Sequence, residues 1–181
     1  MARSGRQYFK PLKLMKTLRN PAMLLALLYF GFAMYVLWTI PQLPLRVATH
    51  FGLSGQPNNW MSKSEYLRFM GIFGFIFPFS IVGICFLVRF LPASAFNMPR
   101  RDYWLSPEHR GETFRYFLHQ SLWFACMAVG FLAGLHCLLV QANHVSGGRL
   151  PLIPLLILAG TFLIGQIGWG IHLVRHFKKV V

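Results

Sequence analysis

The sequence is poor in acidic residues. Four of its 181 residues are Asp or Glu, and charged residues of both signs make up 12% of the chain, against about 25% in soluble domains. The formal net charge is +14. Such an excess can indicate nucleic-acid binding, but here the bases flank long apolar runs and form no patch on a polar domain. This arrangement is typical of integral membrane proteins, and we predict no nucleic-acid partner.

Paired cysteines and mid-membrane charges are absent as well. Cys85, Cys126 and Cys137 lie within or near apolar runs and have no Cys-x-x-Cys spacing, so we expect small buried side chains and no disulfide. No Asp, Glu, Lys or Arg falls near the middle of an apolar run, whereas pumps and proton-coupled transporters usually need one. A carrier is therefore disfavoured, while a passive channel or a transporter component stays open.

Four apolar runs are long enough to cross a membrane, because about 20 residues span its hydrocarbon core. The predicted fold is an all-α integral membrane protein with four transmembrane helices, and its first partner is the lipid bilayer. The predicted spans are residues 20–40, 63–91, 117–140 and 150–174.

Capping patterns predict where these helices begin. Asn20-Pro21 combines a good N-cap with a proline at the first helical position. Ser62-Lys63-Ser64-Glu65 has the pattern of a capping box, and Pro78 should kink the helix that follows. Ser106-Pro107-Glu108 predicts a third start, with no breaker before Asn143. That helix would be about 50 Å long at about 1.5 Å per residue, so we expect it to project into the cytoplasm as a stalk.

Three regions follow from this pattern. Residues 1–19 are a basic N-terminal segment, either a short helix on an anionic leaflet or a tail that only sets topology. Residues 20–92 form a helical hairpin with a polar loop, and residues 93–181 form a second hairpin with the stalk and a basic tail.

The distribution of bases predicts the orientation. Six lie in the N-terminal segment and others in the connection between spans two and three and in the C-terminal tail, whereas the last loop has Arg149 alone. Bases concentrate on the cytoplasmic side of membrane proteins. We therefore predict that both termini are cytoplasmic, that the loop at 41–62 is outside, and that the protein lies in a bacterial cytoplasmic (inner) membrane.

The loop at 41–62 is the long polar run on the predicted outer side. It is rich in glycine, proline and asparagine, which favour special backbone angles, and it also holds aromatic side chains, which a floppy linker would not need. We therefore predict a compact folded loop. The residues that carry its motif are His50, Phe51, Gly55, Pro57, Asn58, Trp60 and Lys63.

This motif resembles an uncharacterised bacterial and archaeal membrane domain known from immunity proteins of the SdpI type. The shared order is a proline, His-Phe, Gly-x-Pro and Ser-Lys, which here are Pro44, His50-Phe51, Gly55-Gln56-Pro57 and Ser62-Lys63. The resemblance covers about residues 20–92. It implies a membrane protein with an outer loop; the SdpI-type members protect a cell from a secreted toxic peptide and can sequester a transcription repressor.

Three histidines on the predicted outer side are weak candidates for a metal site. They are His50, His136 and His144, with Cys137 nearby. Imidazoles can bind zinc or copper, but no fixed ligand spacing supports a site here, and we predict neither a metal nor a cofactor. His50 could instead bond to the backbone of its own glycine-rich turn.

A charged face is predicted on the inner stalk. Glu108, Glu112, Arg115 and His119 fall at i, i+4, i+7 and i+11, which places them on one side of a helix. This face is either a solvated surface with salt bridges or a docking face for a partner. An acid–base pair is disfavoured, because no nucleophile motif or ligand set accompanies it.

Small residues predict close helix packing within the bilayer. Gly130 and Gly134 form a Gly-x-x-x-Gly match in span three, and Gly165 is one of several glycines in span four. The two spans should pack together or against a second copy, so a homo-oligomer is possible. Gln166 should form a hydrogen bond to a neighbouring helix.

Three functions remain open. The first is a non-enzymatic membrane protein that binds a protein or peptide partner through the outer loop and docks through the stalk. The second is a passive channel or transporter component. The third is a membrane enzyme with an outer metal site.

Overall fold

The computed structural model describes residues 11–144 and 148–179. A helix, a β-hairpin and five further α-helices follow one another along the described residues. A π-helical segment, Met70–Ile76, joins the second and third α-helices. The elements are α1 Pro11–Thr39, β1 Arg46–Phe51, β2 Pro57–Ser62, α2 Lys63–Phe69, α3 Phe77–Leu87, α4 Arg101–Trp104, α5 Arg110–His144 and α6 Leu152–Lys178, with single 3-10 turns at Ile40–Gln42, Val88–Phe90 and Ala93–Ala95.

The prediction of four spans is confirmed. Four helical stretches are long and apolar enough to cross a membrane, with mean hydropathies between 1.9 and 2.4. The protein is therefore a multi-pass membrane protein. The stretches are Asn20–Gln42, Lys63–Phe90, Arg110–His144 and Leu152–Lys178.

The first helix begins earlier than its sequence pattern predicts. It starts at Pro11 and continues through Pro21, so the predicted N-cap at Asn20 is wrong. An internal proline normally costs about 3 kcal/mol, but Pro21 is fully buried, and its carbonyl accepts a hydrogen bond from the Cys126 thiol at 3.5 Å. Packing against α5 thus outweighs the local cost. The first part of the basic N-terminal segment, residues 1–10, lies outside the described residues.

The second span begins as predicted, and its helix is irregular ahead of Pro78. The capping box is confirmed: the Ser62 hydroxyl accepts from the Glu65 amide, and the Glu65 carboxylate accepts from the Ser62 amide. Ahead of Pro78 the helix widens into the π-helical segment, where the Phe77 amide bonds the carbonyl five residues back, that of Ile72. π-helical segments are rare and occur mostly as short irregularities inside α-helices.

The polar loop at 41–62 forms a β-hairpin, so the prediction of an all-α fold is wrong here. β1 and β2 pair antiparallel, from Arg46 opposite Ser62 to Phe51 opposite Pro57, with a bulge between Ala48 and Phe51. Gly52 closes the turn, donating its amide to the Gln56 carbonyl at 2.8 Å. We predicted a compact folded loop for these residues but did not predict the two strands.

The predicted stalk on α5 is not a free-standing helix. α5 begins at Arg110, three residues later than predicted. Its first turns pack against the end of α6, where the rings of Tyr116 and His176 stack 3.8 Å apart. The Trp104 indole donates to the Phe177 carbonyl at 3.0 Å, and Phe177 is 3% exposed. The aromatic rings at this end are packed against one another, away from water. This packing joins α4, α5 and α6.

The core lies between α1, the second span and α5. Among the spans, α6 packs mainly against α5, through pairs such as Phe131 and Phe162. No residue of its most apolar stretch is buried. Its outer face is rich in exposed Leu and Ile, as expected for a helix that faces lipid. The Gln166 amide nitrogen is buried without a hydrogen-bond partner among the described residues, so the bond predicted for it is not formed within this part of the chain.

Candidate functional site

The hairpin is fastened to the end of α5 by one side-chain amide. Asn143 accepts a hydrogen bond from the Ala48 amide at 2.7 Å and donates to the Ala48 carbonyl at 3.0 Å. It also donates to the Leu139 carbonyl of its own helix at 2.8 Å. The primary amide thus imitates a neighbouring strand along the edge of β1. This contact fixes the position of β1 relative to the helices.

The turn of the hairpin is held from the other side by the segment that leads into α6. The Leu150 amide donates to the Gly55 carbonyl at 2.9 Å. Gly55 has φ +76°, and a Cβ at this position would lie 2.7 Å from the Leu150 carbonyl oxygen. Only glycine suits both the conformation and the close approach. On the adjacent strand, Pro57 lies beside Gly148, whose Cβ would be 3.5 Å away.

The edge of β2 is covered by its own side chains. The Trp60 amide donates to the Asn59 side-chain oxygen at 2.8 Å, and the Ser62 amide donates to the Glu65 carboxylate at 2.8 Å. Bare amides on an edge strand invite pairing with another chain. The amides of Trp60 and Ser62 are therefore already hydrogen-bonded and do not invite such pairing.

The motif residues divide into a fastening group and an exposed group. Gly55 and Pro57 contact the last loop, Phe51 packs against the core, and Lys63 donates from its ammonium group to the Pro41 carbonyl at 3.0 Å. The exposed group lies on the surface of the hairpin. It consists of His50, Asn58 and Trp60, joined at the turn by the fully exposed Leu53.

A buried chain of hydrogen bonds lies beneath the hairpin and joins three helices. His136 of α5 is 0% exposed; its Nε2 lies 2.8 Å from the Thr39 hydroxyl and its Nδ1 lies 2.7 Å from the Tyr66 hydroxyl. Thr39 in turn donates to the Tyr35 carbonyl at 2.8 Å. We call Thr39, Tyr66 and His136 the buried triad.

One tautomer satisfies every group of the buried triad. If His136 is protonated on Nε2, that N–H donates to Thr39, while Nδ1 accepts from the Tyr66 hydroxyl. This tautomer is inferred from the hydrogen-bond network. Rings of Phe32 and Tyr35 meet the imidazole edge to face. Both ring nitrogens of the neutral imidazole therefore have a hydrogen-bond partner, and neither is left to bind a metal.

A cavity of about 250 Å³ lies between the hairpin and the helices. Its walls are mainly apolar. The exposed His50, the half-buried Thr49 and the buried Tyr66 supply its polar atoms, so the cavity extends from the surface to the buried triad. The remaining lining residues are Phe51, Met61, Phe69, Leu135, Leu139, Leu150 and Leu155.

The three histidines predicted as weak metal candidates do not form a site. Residues 11–144 and 148–179 contain no group of three His, Cys, Asp or Glu side chains that could hold a metal ion. His136 is enclosed in the buried triad, while His50 and His144 are exposed. The predicted bond from His50 to its own turn is not among the hydrogen bonds of the described residues.

The predicted docking face is divided between a turn and a helix. Glu108 lies in the turn before α5, so it does not continue the helical spacing of Glu112, Arg115 and His119. Glu108 and Glu112 are exposed, and Arg115 and His119 are half-buried. The Glu108 backbone amide and the Ser106 hydroxyl donate to its carboxylate and hold the pKa of Glu108 below its ordinary value.

The three packing glycines have different surroundings. A Cβ on Gly134 would lie 2.8 Å from Leu158 of α6, and one on Gly165 would lie 3.6 Å from the Met127 sulfur. Gly130 has no neighbour within 4 Å of such a Cβ. The close approach between α5 and α6 therefore depends on Gly134. Gly130, the other glycine of the Gly-x-x-x-Gly match, makes no close contact with a neighbouring helix.

Sequence reasoning missed Thr39, Tyr66 and Asn143 as elements of this site. Thr39 and Tyr66 lie at the ends of helices next to the hairpin, and Asn143 lies at the end of α5. A polar side chain at the end of an apolar helix is a weak signal, because such positions are usually solvated. Their separation from their partners, 97 residues for Thr39 and His136, explains why spacing gave no hint.

Comparison with known proteins places the chain in a family. Residues 24–78, which hold most of α1, the hairpin and Tyr66, match the family model of a domain of unknown function, DUF1648. An uncharacterised protein of Archaeoglobus fulgidus is 33% identical over 141 residues, covering 69% of this chain and 70% of that protein. No solved structure matches the chain. The chain therefore belongs to the same uncharacterised family as the Archaeoglobus fulgidus protein, and its residues 24–78 match the DUF1648 domain.

Proposed function

We propose that this protein is a non-enzymatic membrane receptor for a peptide, which it binds at the cavity beneath the hairpin. The observation that carries the proposal is the 250 Å³ cavity, with apolar walls and three polar side chains. A cavity of about 150 Å³ can hold a benzene ring, so this one accommodates an aromatic or aliphatic anchor residue. Preformed apolar cavities with a few polar groups are the usual form of a binding site.

The fastening of the hairpin favours binding over a purely structural role. Asn143 holds β1, and Leu150 holds the turn at Gly55, so the hairpin is already ordered before a ligand arrives. Pre-organisation lowers the entropic cost of association. His50 lines the cavity and is exposed, and Trp60 is 43% exposed on the same hairpin. These side chains supply the hydrogen bond and the aromatic contact expected of a binding surface.

The distribution of bases supports an outward-facing hairpin. With both termini in the cytoplasm of a bacterium, the cavity would open to the outside of the inner membrane, where it could meet a secreted peptide. The resemblance to SdpI-type immunity proteins suggests a toxic peptide as the ligand. Docking of a second partner at Glu108 and Glu112, on the cytoplasmic end, is the remaining part of this proposal.

Peptide selection with a cavity-filling variant tests the proposal. Random dodecapeptides displayed on phage are selected on the full chain in nanodiscs and counter-selected on empty nanodiscs. We expect enrichment of peptides with a shared aromatic or aliphatic anchor. Thr49→Trp places a large ring into the cavity wall and should abolish their binding.

The matched control is Ser54→Trp, which adds the same ring to the hairpin at an exposed position that does not line the cavity. Its binding should equal that of the unmodified protein. Failure to enrich any shared anchor contradicts the proposal, as does peptide binding that survives Thr49→Trp while the variant keeps its thermal melting profile.

A further inference from the structure

A second cavity lies at the opposite end of the bundle, where the second span ends and α5 begins. Its volume is about 390 Å³, and it shares no lining residue with the cavity beneath the hairpin. Three arginines line it, and no acidic side chain is among its lining residues. These residues are Cys85, Phe86, Arg89, Phe90, Pro107, Arg110, Gly111, Phe114, Arg115 and Leu118.

The Arg89 guanidinium lies against two aromatic rings. Its guanidinium carbon lies 3.8 Å from the centre of the Phe86 ring and 4.6 Å from that of Phe90. Among the described residues, no carboxylate lies within salt-bridge distance of Arg89. Stacking on rings leaves the edge of a guanidinium, with its N–H groups, open to a ligand.

Arg110 joins the two walls of the cavity. One of its terminal nitrogens donates to the Arg89 carbonyl at 2.9 Å and to the Leu91 carbonyl. Its guanidinium also lies 5.0 Å from the centre of the Phe114 ring. The end of the second span is thereby tied to the first turn of α5, and two cationic groups are held at one entrance.

The chemistry of the walls changes along the cavity. The arginines lie at the ends of the two spans, near the membrane surface, while Cys85 and Leu118 lie further along them, on the membrane side. Like charges brought together in a partly apolar site need a counter-anion. A phosphate group beside the arginines and a hydrocarbon chain beside the apolar residues match both ends of the cavity.

We propose that this cavity binds an anionic phospholipid of the surrounding membrane. The phosphate is held by Arg89 and Arg110 through charge-assisted hydrogen bonds, and one acyl chain lies in the groove between α3 and α5. Basic pockets between transmembrane helices commonly take anionic lipid head groups. The bound lipid then acts as a link between the second and third spans.

Lipid binding by the full chain in a zwitterionic detergent tests this proposal. The binding of dioleoylphosphatidylglycerol and of dioleoylphosphatidylcholine is measured by native mass spectrometry at increasing lipid concentration. We expect tighter binding of the anionic lipid, and a loss of about tenfold in its affinity for Arg89→Gln, because one charge-assisted contact is removed. Arg89 is chosen because its side chain makes no hydrogen bond that supports the fold.

Arg175→Gln is the matched control, since it removes the same charge at the same end of the bundle, outside the cavity. We expect it to change the affinity by less than about twofold. Equal losses for both variants would assign the binding to general charge attraction and overturn the site. Equal affinity for the two lipids would overturn it as well. Competition by millimolar inorganic phosphate would show a free-anion site and contradict the lipid assignment, whereas no competition supports it.

Discussion

Replacing Tyr66 by Phe tests the buried triad most directly. The substitution keeps the ring and removes the hydroxyl that donates to His136 Nδ1 at 2.7 Å. The imidazole nitrogen is then left without its donor in a site where Tyr66 and His136 are both 0% exposed. An unsatisfied buried group costs about 1–3 kcal/mol, while hydrogen bonds between membrane helices contribute about 0.6 kcal/mol on average. We expect the free energy of unfolding to fall by about 1–2 kcal/mol.

The assay is equilibrium unfolding in mixed micelles of a mild detergent and dodecyl sulfate, followed by circular dichroism. Tyr116→Phe is the matched control: its hydroxyl is buried without a hydrogen-bond partner among the described residues, so its removal should leave stability unchanged or slightly higher. If both substitutions lower the free energy of unfolding equally, the loss reflects the ring environment and the hydrogen-bond chain is refuted.

Two further predictions concern the turns at the two ends of the molecule. Gly55→Ala should lower the free energy of unfolding by about 2 kcal/mol or more, because φ is +76° and the new Cβ would lie 2.7 Å from the Leu150 carbonyl oxygen; Gly52→Ala, with its nearest contact at 3.9 Å, serves as the control, and equal losses in the same unfolding assay would contradict the assignment. Glu108 should titrate below the ordinary range, because its own amide and the Ser106 hydroxyl stabilise the carboxylate. Its depressed pKa means that the stabilisation is present above the unfolded-state pKa and is lost as pH falls through the folded-state pKa. Carbon-detected NMR titration should show Ser106→Ala raising this pKa, and an unchanged value would refute the cause.

The helices could be predicted well because their signals are local. Apolar length identified the four spans, and Ser62 with Glu65 identified a helix start from four consecutive residues. The start at Asn20-Pro21 failed although its local signal was good. There, burial of Pro21 against α5 decided the outcome, and no local pattern contains that information.

The hairpin could be predicted as folded but not as β-structure. Pro57, Asn58 and Asn59 have low strand propensity, and they occupy the first half of β2. What makes this segment a strand is its partner β1, whose outer edge is bonded to Asn143, 95 residues away from Ala48. The same limit applies to His136, which sequence alone presents as a free imidazole and the fold encloses between Thr39 and Tyr66.

Tyr66 belongs to two parts of the molecule at once. Its side chain lines the cavity beneath the hairpin, and its hydroxyl completes the buried triad that joins the first span to the second and third. A ligand that occupies the cavity therefore touches a group on which the packing of three helices depends. Closely packed helices shift between discrete arrangements and do not deform continuously. Under the proposed function, we therefore expect a ligand that contacts this tyrosine to change how these three helices pack.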